Sequence, residues 1–565
     1  QDSIEKLKNI KINDTNINIG IGHNRWATHG PKNDINSHPH ISMNNLFSIV
    51  HNGIIENYSS LKKDLINNGY KFKSETDTEV IVNLLEYEYS LLQNEEISDE
   101  LIIKVIRNTI SKLQGTWGLA IQFLKIPNSL YCTRQGSPIL ISNNKNFAMV
   151  TSEQSGFCGY SENYIILDNN DVCCLKKEKS SIKIITDNSY TDNTINSNID
   201  SLTPEPYPHW TIKEIHEQID SSLRAISLGG RLLSTDKVKL GGLEPKRRLL
   251  GDIDNLILLG CGTSYFAGLL GINFLKDLCD FNVVQVFDGA EFTKKDIPKI
   301  GKTALILMSQ SGETKDLHRC IKIGKNNNLF LIGLINVPDS MIARESYCGC
   351  YLNAGREVAV ASTKSFTSQV ILLSMIAIWF AQIKDINHGK RVEYIKDLRK
   401  LYLDFETTIQ RSKKKVEEYL HILKDRNSCF ILGKGNGEAI AKEGSLKIKE
   451  LTYMHAEGYS SSSLKHGPFS LLDKDFPVII IAPENENYSK LENAYEEIKS
   501  RYGKIIFITD KKNCEKENVI QIPKNKTFGE LISVIPLQLF AYKLAIAKGI
   551  NPDMPKNLAK VVTVE

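Results

Sequence analysis

No two cysteines in this chain have CxxC spacing, and their count, eleven, is odd. Zinc-ribbon and disulfide-framework readings are thereby excluded, and a reduced, cytoplasmic protein is expected. The nearest thiols, Cys173 beside Cys174 and Cys348 two residues from Cys350, form no ligand pattern. Long hydrophobic runs are also lacking. The longest, residues 370–383 (VILLSMIAIWFAQI), is too short to span a bilayer and reads as a buried helix. No basic run with interleaved aromatics occurs, and 70 Lys and Arg nearly balance 66 Asp and Glu, for a net charge of +4. That balance asks for neither a nucleic-acid nor a membrane partner. No secretory leader is expected at the start.

What is present is length and alternation. A chain of 565 residues, 41% hydrophobic and 24% charged, is too long for one core and divides into several globular domains. Short apolar strands at 46–50, 118–123 and 147–150 mix with a helical patch at 79–92, which reads as a layered α/β domain over residues 1–175. Residues 176–209 turn polar, contain NSYTDNTINSNIDSLTPEPYP, and read as a linker. Helical periodicity resumes at 210–223 and opens a helical connector over 210–247.

A repeat follows. A strand-like run at 256–259 ends in Gly260-Cys261-Gly262-Thr263-Ser264 and leads into a helix. A second run at 429–432 ends in Gly433-Lys434-Gly435-Asn436-Gly437 and does the same. Each unit adds a second strand (304–308; 478–481) and a third (330–335; 504–508). The alternation predicts two doubly wound parallel-sheet domains, over 248–388 and 420–556, with a helical connector at 389–419.

Directly after the 304–308 run stands Ser309-Gln310-Ser311-Gly312-Glu313-Thr314. Hydroxyls and free N–H groups at a helix start cradle a phosphate, although an ordinary N-cap has a similar composition. The second repeat has Ala482-Pro483 at that place, so only the first keeps such a cradle. In KEGSLKIKELTYMHAEGY, Glu443, Lys447 and Glu450 share one helix face, either as an acid–base set or as a surface salt-bridge stripe. His466, between Lys465 and Gly467, reads by itself as a solvated loop histidine. The residues His23, His29, His38, His40 and His51 fit no zinc spacing, and neither a metal nor an organic cofactor is expected.

The strings GCGTSY (260–265), SQSGET (309–314), EVAVASTKSFTSQ (357–369), EGSLKIKELTYMHAEGY (443–459), LKHGP (464–468) and NLAKVVTVE (557–565) follow one another in an order that resembles the glutamine–fructose-6-phosphate aminotransferases. HNRWATHG (23–30), NSHPH (36–40), HNGIIENY (51–58) and SETDTEV (74–80) resemble the glutaminase domain of that family. The resemblance implies a truncated N-terminal-nucleophile amidotransferase domain with α/β/β/α layers, then two sugar-isomerase domains and an active-site tail at 557–565. It implies amino transfer from glutamine to fructose 6-phosphate with ketose-to-aldose isomerisation, giving glucosamine 6-phosphate, the first step of hexosamine synthesis, in a cytoplasmic homodimer.

By the same resemblance Thr263, Ser264, Ser309, Gln310, Ser311 and Thr314 hold the sugar phosphate, and Val360 and Ser362 contact the sugar. Glu450 moves a proton between C1 and C2, Lys447 assists at C2, and His466 opens the sugar ring in the partner's active site. Lys560 forms the Schiff base, which requires a neutral amine. Arg25 and Asp77 grip the α-carboxylate and α-amine of glutamine. Asn52 and Gly53 form the oxyanion hole, and Trp26, with Thr28 and His29 beside it, gates an ammonia channel.

Three departures qualify the resemblance. The family's glutaminase uses an N-terminal cysteine, whereas residue 1 is Gln and no cysteine precedes Cys132; the nucleophile and opening strands are expected to lie outside these residues. Ser462-Ser463 stand where the family has Gly-Glu, and Val561 stands where Ser follows the lysine. Two rival readings are a phosphosugar isomerase or deglycase and a phosphosugar-sensing regulatory protein. The N-terminal strings oppose the first, and the full set Glu450, Lys447, His466 and Lys560 opposes the second.

Overall fold

Alternating burial builds the first of two compact units, which part near residue 202. The computed structural model describes residues 18–23, 33–92, 94–144, 146–152, 154–157, 159–178, 181–194, 203–338 and 340–560. A six-stranded antiparallel sheet runs His40–Ile41, Phe47–Ile55, Gly115–Phe123, Ser129–Gln135, Val172–Lys177 and Ile182–Ile185. Along Phe47–Ile55, Phe47 and Ile49 pack with residues of the helices Tyr58–Asn67, Asp77–Leu91 and Asp99–Lys112. Val50 turns to the other face and joins Ile141 and Ile165 of a four-stranded sheet. The period of two thus produces a helix–sheet–sheet stack. Among the described residues α-helices cover the six-stranded sheet alone, which supplies three of the four expected layers.

Residues 176–209, expected from composition to be a linker, need correction. Ile182–Ile185 extends the six-stranded sheet, and Asn193–Thr194 pairs with Asn163–Ile166. Ile182 and Ile184 pack on the core between the sheets while Ile185 turns to the helical side. Three isoleucines suffice for a short edge strand even inside a polar stretch, because pairing and half-burial decide strand formation more than average composition does.

Two five-stranded parallel sheets form the second unit, and both have the same order. The first runs Val283–Asp288, Asn255–Gly260, Thr303–Ser309, Phe330–Ile335, Cys348–Tyr351. The second runs His455–Ser460, Ser428–Gly433, Pro477–Ile481, Lys504–Thr509, Val519–Gln521. Asn255–Gly260 and Pro477–Ile481 are buried at every position, as strands covered on both faces must be. The apolar run at 370–383 belongs to the helix Lys364–Ile383, buried from Lys364 to Ala381. In each sheet the earliest strand lies between the next two in sequence. Winding therefore reverses there, and a crevice opens beyond the carboxyl ends of the strands.

Candidate active site

Gly262, with φ of 53°, joins the strand Asn255–Gly260 to the helix Thr263–Leu278. Glycine adopts that left-handed turn without steric cost, and the turn sets Thr263 at the mouth of the first crevice. On the adjacent strand Ser309 is the last residue, and residues 310–314 lead into the twelve-residue helix Lys315–Asn326. The Ser309 and Thr314 hydroxyls share a hydrogen bond of 2.9 Å, and Ser309 accepts from the Gly312 N–H at 2.9 Å. Ser311 accepts from the Glu313 N–H at 3.1 Å. Gln310, Ser311 and Thr314 are half-buried. The loop therefore presents ordered hydroxyls at a helix start, the arrangement that suits a phosphate. Ser264 accepts from Gln369 at 2.9 Å.

The second repeat reaches this crevice through its helix Asn436–Thr452. Side chains of Lys447 and Glu443 are 1% and 0% exposed, so the face they share is no surface stripe. Lys447 donates to Glu450 at 2.7 Å and to Thr263 at 3.0 Å, and Thr263 donates to Glu443 at 3.4 Å. Burial, only partly offset by Lys447, pushes the Glu443 carboxyl up to about 8. Against its own burial, Lys447 is held above the usual lysine range by Glu443 and Glu450. A buried ammonium with an anionic partner keeps its proton. Glu450, at 19% exposure, is the accessible carboxylate of the three residues.

Lys560 approaches from the chain terminus. It donates to Glu357 at 2.6 Å and to Ser362 at 3.3 Å. Glu357 is buried and also accepts from the N–H groups of Thr363 and Ser365, at 2.9 and 3.0 Å, and from the Ser365 hydroxyl at 2.8 Å. Burial alone would raise its pKa, but Lys560 and these bonds hold it down at about 2. Glu357 acts on Lys447 as well, so two ammonium groups from distant segments share its field. Sequence reasoning assigned Glu357 no role. The available signal was a single acid opening the apolar stretch of EVAVASTKSFTSQ. Val360, half-buried, donates its N–H to the Asp553 carbonyl at 3.2 Å. His466 is exposed at the end of the short helical turn Ser461–His466, apart from the hydrogen bonds that tie Lys447 and Lys560.

Comparison with known proteins bears on both units. The glutamine amidotransferase domain model matches residues 23–158, and the SIS domain model matches residues 249–379 and 422–548. Over 572 aligned residues the chain is 41% identical to the probable glutamine–fructose-6-phosphate aminotransferase (isomerizing) of Acanthamoeba polyphaga mimivirus, covering all of this chain and 91% of the relative. The chain belongs to the glutamine–fructose-6-phosphate aminotransferase family. The enzyme of that name from Chlorobaculum tepidum is 33% identical, over 97% of this chain and 89% of its own. A solved structure, the C-terminal domain of glucosamine-fructose-6-phosphate aminotransferase from Francisella tularensis, superposes with a TM-score of 0.59 at 29% identity. It covers 63% of this chain and 100% of its own.

In the amidotransferase unit, Asn52 and Gly53 are half-buried on the strand Phe47–Ile55. Gly53 has φ of 141°, and a Cβ there would stand 2.2 Å from the Thr116 carbonyl oxygen. Asp77, 3% exposed, opens the helix Asp77–Leu91 and accepts from the Ile55 N–H at 2.9 Å. Asp77 thus reaches the end of the strand, two residues beyond Gly53, and one of its oxygens already serves the backbone. Arg25, Trp26, Thr28 and His29 lie outside the described residues. The rings of His23 and His38 stack at 4.4 Å and His40 meets His38 edge-on at 5.0 Å. Thr78 and Thr76 hydroxyls engage His51 and His40 at 3.0 and 3.1 Å. Among the described residues no His, Cys, Asp and Glu group is arranged to hold a metal ion.

The Gly53→Ala variant is expected to destabilise the first unit by about 1–3 kcal/mol, the scale of a strained backbone position. A lowered midpoint in denaturant unfolding would register it. An unchanged midpoint would mean that the strand relaxes away from Thr116.

Proposed function

We propose that this chain carries the chemistry that turns fructose 6-phosphate and ammonia from glutamine into glucosamine 6-phosphate, within the aminotransferase reaction for which its relatives are named; the terminal cysteine that would release that ammonia is not among these residues. The observation that carries the reading is the lysine pair. Lys560 lies 2.6 Å from a buried carboxylate, and Lys447 lies between Glu443 and Glu450. A sensor of phosphosugars needs the phosphate cradle but neither lysine.

In this reading Ser309, Gln310, Ser311 and Thr314 hold the phosphate, with Thr263 and Ser264 beside them, and Val360 and Ser362 contact the sugar. The Lys560 amine adds to the C2 carbonyl of the open ketose and water leaves, giving a Schiff base; ammonia from glutamine then displaces the lysine, leaving an imine at C2 and the free Lys560 amine. Glu450 takes a proton from C1 and returns it at C2, and Lys447 polarises the oxygen or nitrogen at C2. Ring opening falls to His466, contributed across a homodimer, which accords with its exposure in one chain. Arg25 and Asp77 would bind glutamine, Asn52 and Gly53 its oxyanion, and Trp26, Thr28 and His29 the passage for ammonia. A cytosolic setting is supported by ten free cysteines among the described residues.

Borohydride reduction with fructose 6-phosphate, followed by peptide mass spectrometry, tests the core of the reading. The expected adduct is on Lys560; an adduct elsewhere, or none, would refute it. The cradle has its own test. Ser309→Ala and Thr314→Ala should each weaken fructose 6-phosphate binding by about 1–2 kcal/mol, the worth of a hydrogen bond to a charged group. Calorimetric titration showing parent affinity for both variants would place the phosphate elsewhere.

A further inference from the structure

The helix Trp210–His216 and the residues after it, which neither matched family model covers, are fastened to the Lys560 site from two sides. Glu214 is 0% exposed, and its Oε1 accepts the N–H groups of Val358 at 2.5 Å and Ala359 at 3.2 Å. One turn on, Glu217 pairs with buried Lys364 at 2.5 Å. Arg224 donates to the carbonyls of Asn353 and Ala354 at 3.0 and 2.9 Å. The start of the same helix is tied to the tail: Asp553 accepts from the N–H groups of Trp210 and Thr211 at 2.9 and 2.7 Å. The Asp553 carbonyl in turn takes the Val360 N–H. One short connector therefore sets the segment 353–364, which holds Glu357 and Ser362, against the tail that delivers Lys560.

Glu214 has a further peculiarity. Its Oε2 is buried without a hydrogen-bond partner among the described residues, whereas the neighbouring Glu357 takes four hydrogen bonds, one of them from Lys560. We propose that Glu214 is a positioning residue for Schiff-base formation: by holding Val358 and Ala359 it keeps Glu357 on Lys560, and it sets how much negative charge that amine faces. The inference rests on the assignment of Lys560 as the reacting amine.

Two adjacent carboxyls in a dry site do not both ionise readily. The saturated Glu357 keeps the charge, while burial and the Glu357 anion push Glu214 up to about 8, against the pull of Lys560 and Lys364. Lys364 is already matched by Glu217. Of the two carboxyls Glu214 is thus the one that takes up a proton more readily, and once it is protonated, Lys560 faces one anion. As pH rises through Glu214's titration a second anion appears, whose attraction opposes release of the Lys560 side chain to the sugar carbonyl.

The test uses the full chain and measures the initial rate of reductive trapping of fructose 6-phosphate on Lys560 from neutral to alkaline pH. Glu214→Ala strands two buried N–H groups and is expected to slow trapping at neutral pH by about tenfold or more. Glu214→Gln offers an amide oxygen to the same N–H groups and should recover most of that loss. Because it cannot ionise, its rate relative to the parent should climb as the medium becomes alkaline. An alanine variant that is folded by circular dichroism and traps at the parent rate overturns the proposal. So does a glutamine variant whose pH profile superimposes on the parent's, and that profile decides alone if the alanine variant does not fold. Absence of any Lys560 adduct in the parent chain would instead remove the Schiff-base assignment, and this inference with it.

Discussion

Replacing Lys560 by Arg is expected to abolish covalent capture of fructose 6-phosphate and with it all glucosamine 6-phosphate formation, while phosphosugar binding changes little. The substitution separates charge from nucleophilicity. A guanidinium preserves the attraction to Glu357 but does not lose its proton in a protein, so it offers no lone pair to a carbonyl. Lys560→Ala is the harsher control, because it also leaves Glu357 buried with its charge uncompensated by the 2.6 Å partner. Trapping by mass spectrometry and binding by titration read the two effects apart. Capture of sugar on the Arg variant at the parent rate would show that another amine reacts, and Lys447, packed against Glu443 and Glu450, would be the next to examine.

Isomerisation of fructose 6-phosphate to glucose 6-phosphate should fall by about 10²–10⁴-fold in Glu450→Gln, the range for removal of a general acid–base group. Glutamine keeps the size of the side chain and an oxygen for the Lys447 ammonium 2.7 Å away, yet it cannot accept a proton. A mere helix-surface pair at this spacing would contribute a few tenths of a kcal/mol and would leave the rate alone. Binding should be nearly unchanged, since the cradle belongs to the other repeat. A folded Gln variant that isomerises at the parent rate would confine Glu450 to a structural part.

Much of the second unit was legible because its physics is local. A buried parallel strand is an unbroken apolar run, and the glycine turn after it announces a helix packed close against the sheet. Both strands and both turns of the duplication could therefore be read at 256–264 and 429–437. The edge strands Ile182–Ile185 and Asn193–Thr194 were not legible. They are short, and the pairing that stabilises them lies outside their own sequence.

The candidate site divides in the same way. Glu443, Lys447 and Glu450 are three and four residues apart, so helical geometry by itself determined that they share a face. Whether that face met solvent or Thr263 depended on how the repeats pack, and only the tertiary structure decided it. The same holds more strongly for Lys560, Glu357 and Glu214. Their separations in the chain, 203 residues for the first two, carry no periodicity. Each alone is an ordinary charged residue until folding removes the water around it and leaves the others as its nearest charges. The sequence determined where strands, turns and helices form, through side-chain spacing. The tertiary structure decided which carboxylate each lysine meets, because burial and long-range approach, unlike spacing, are properties of the whole fold.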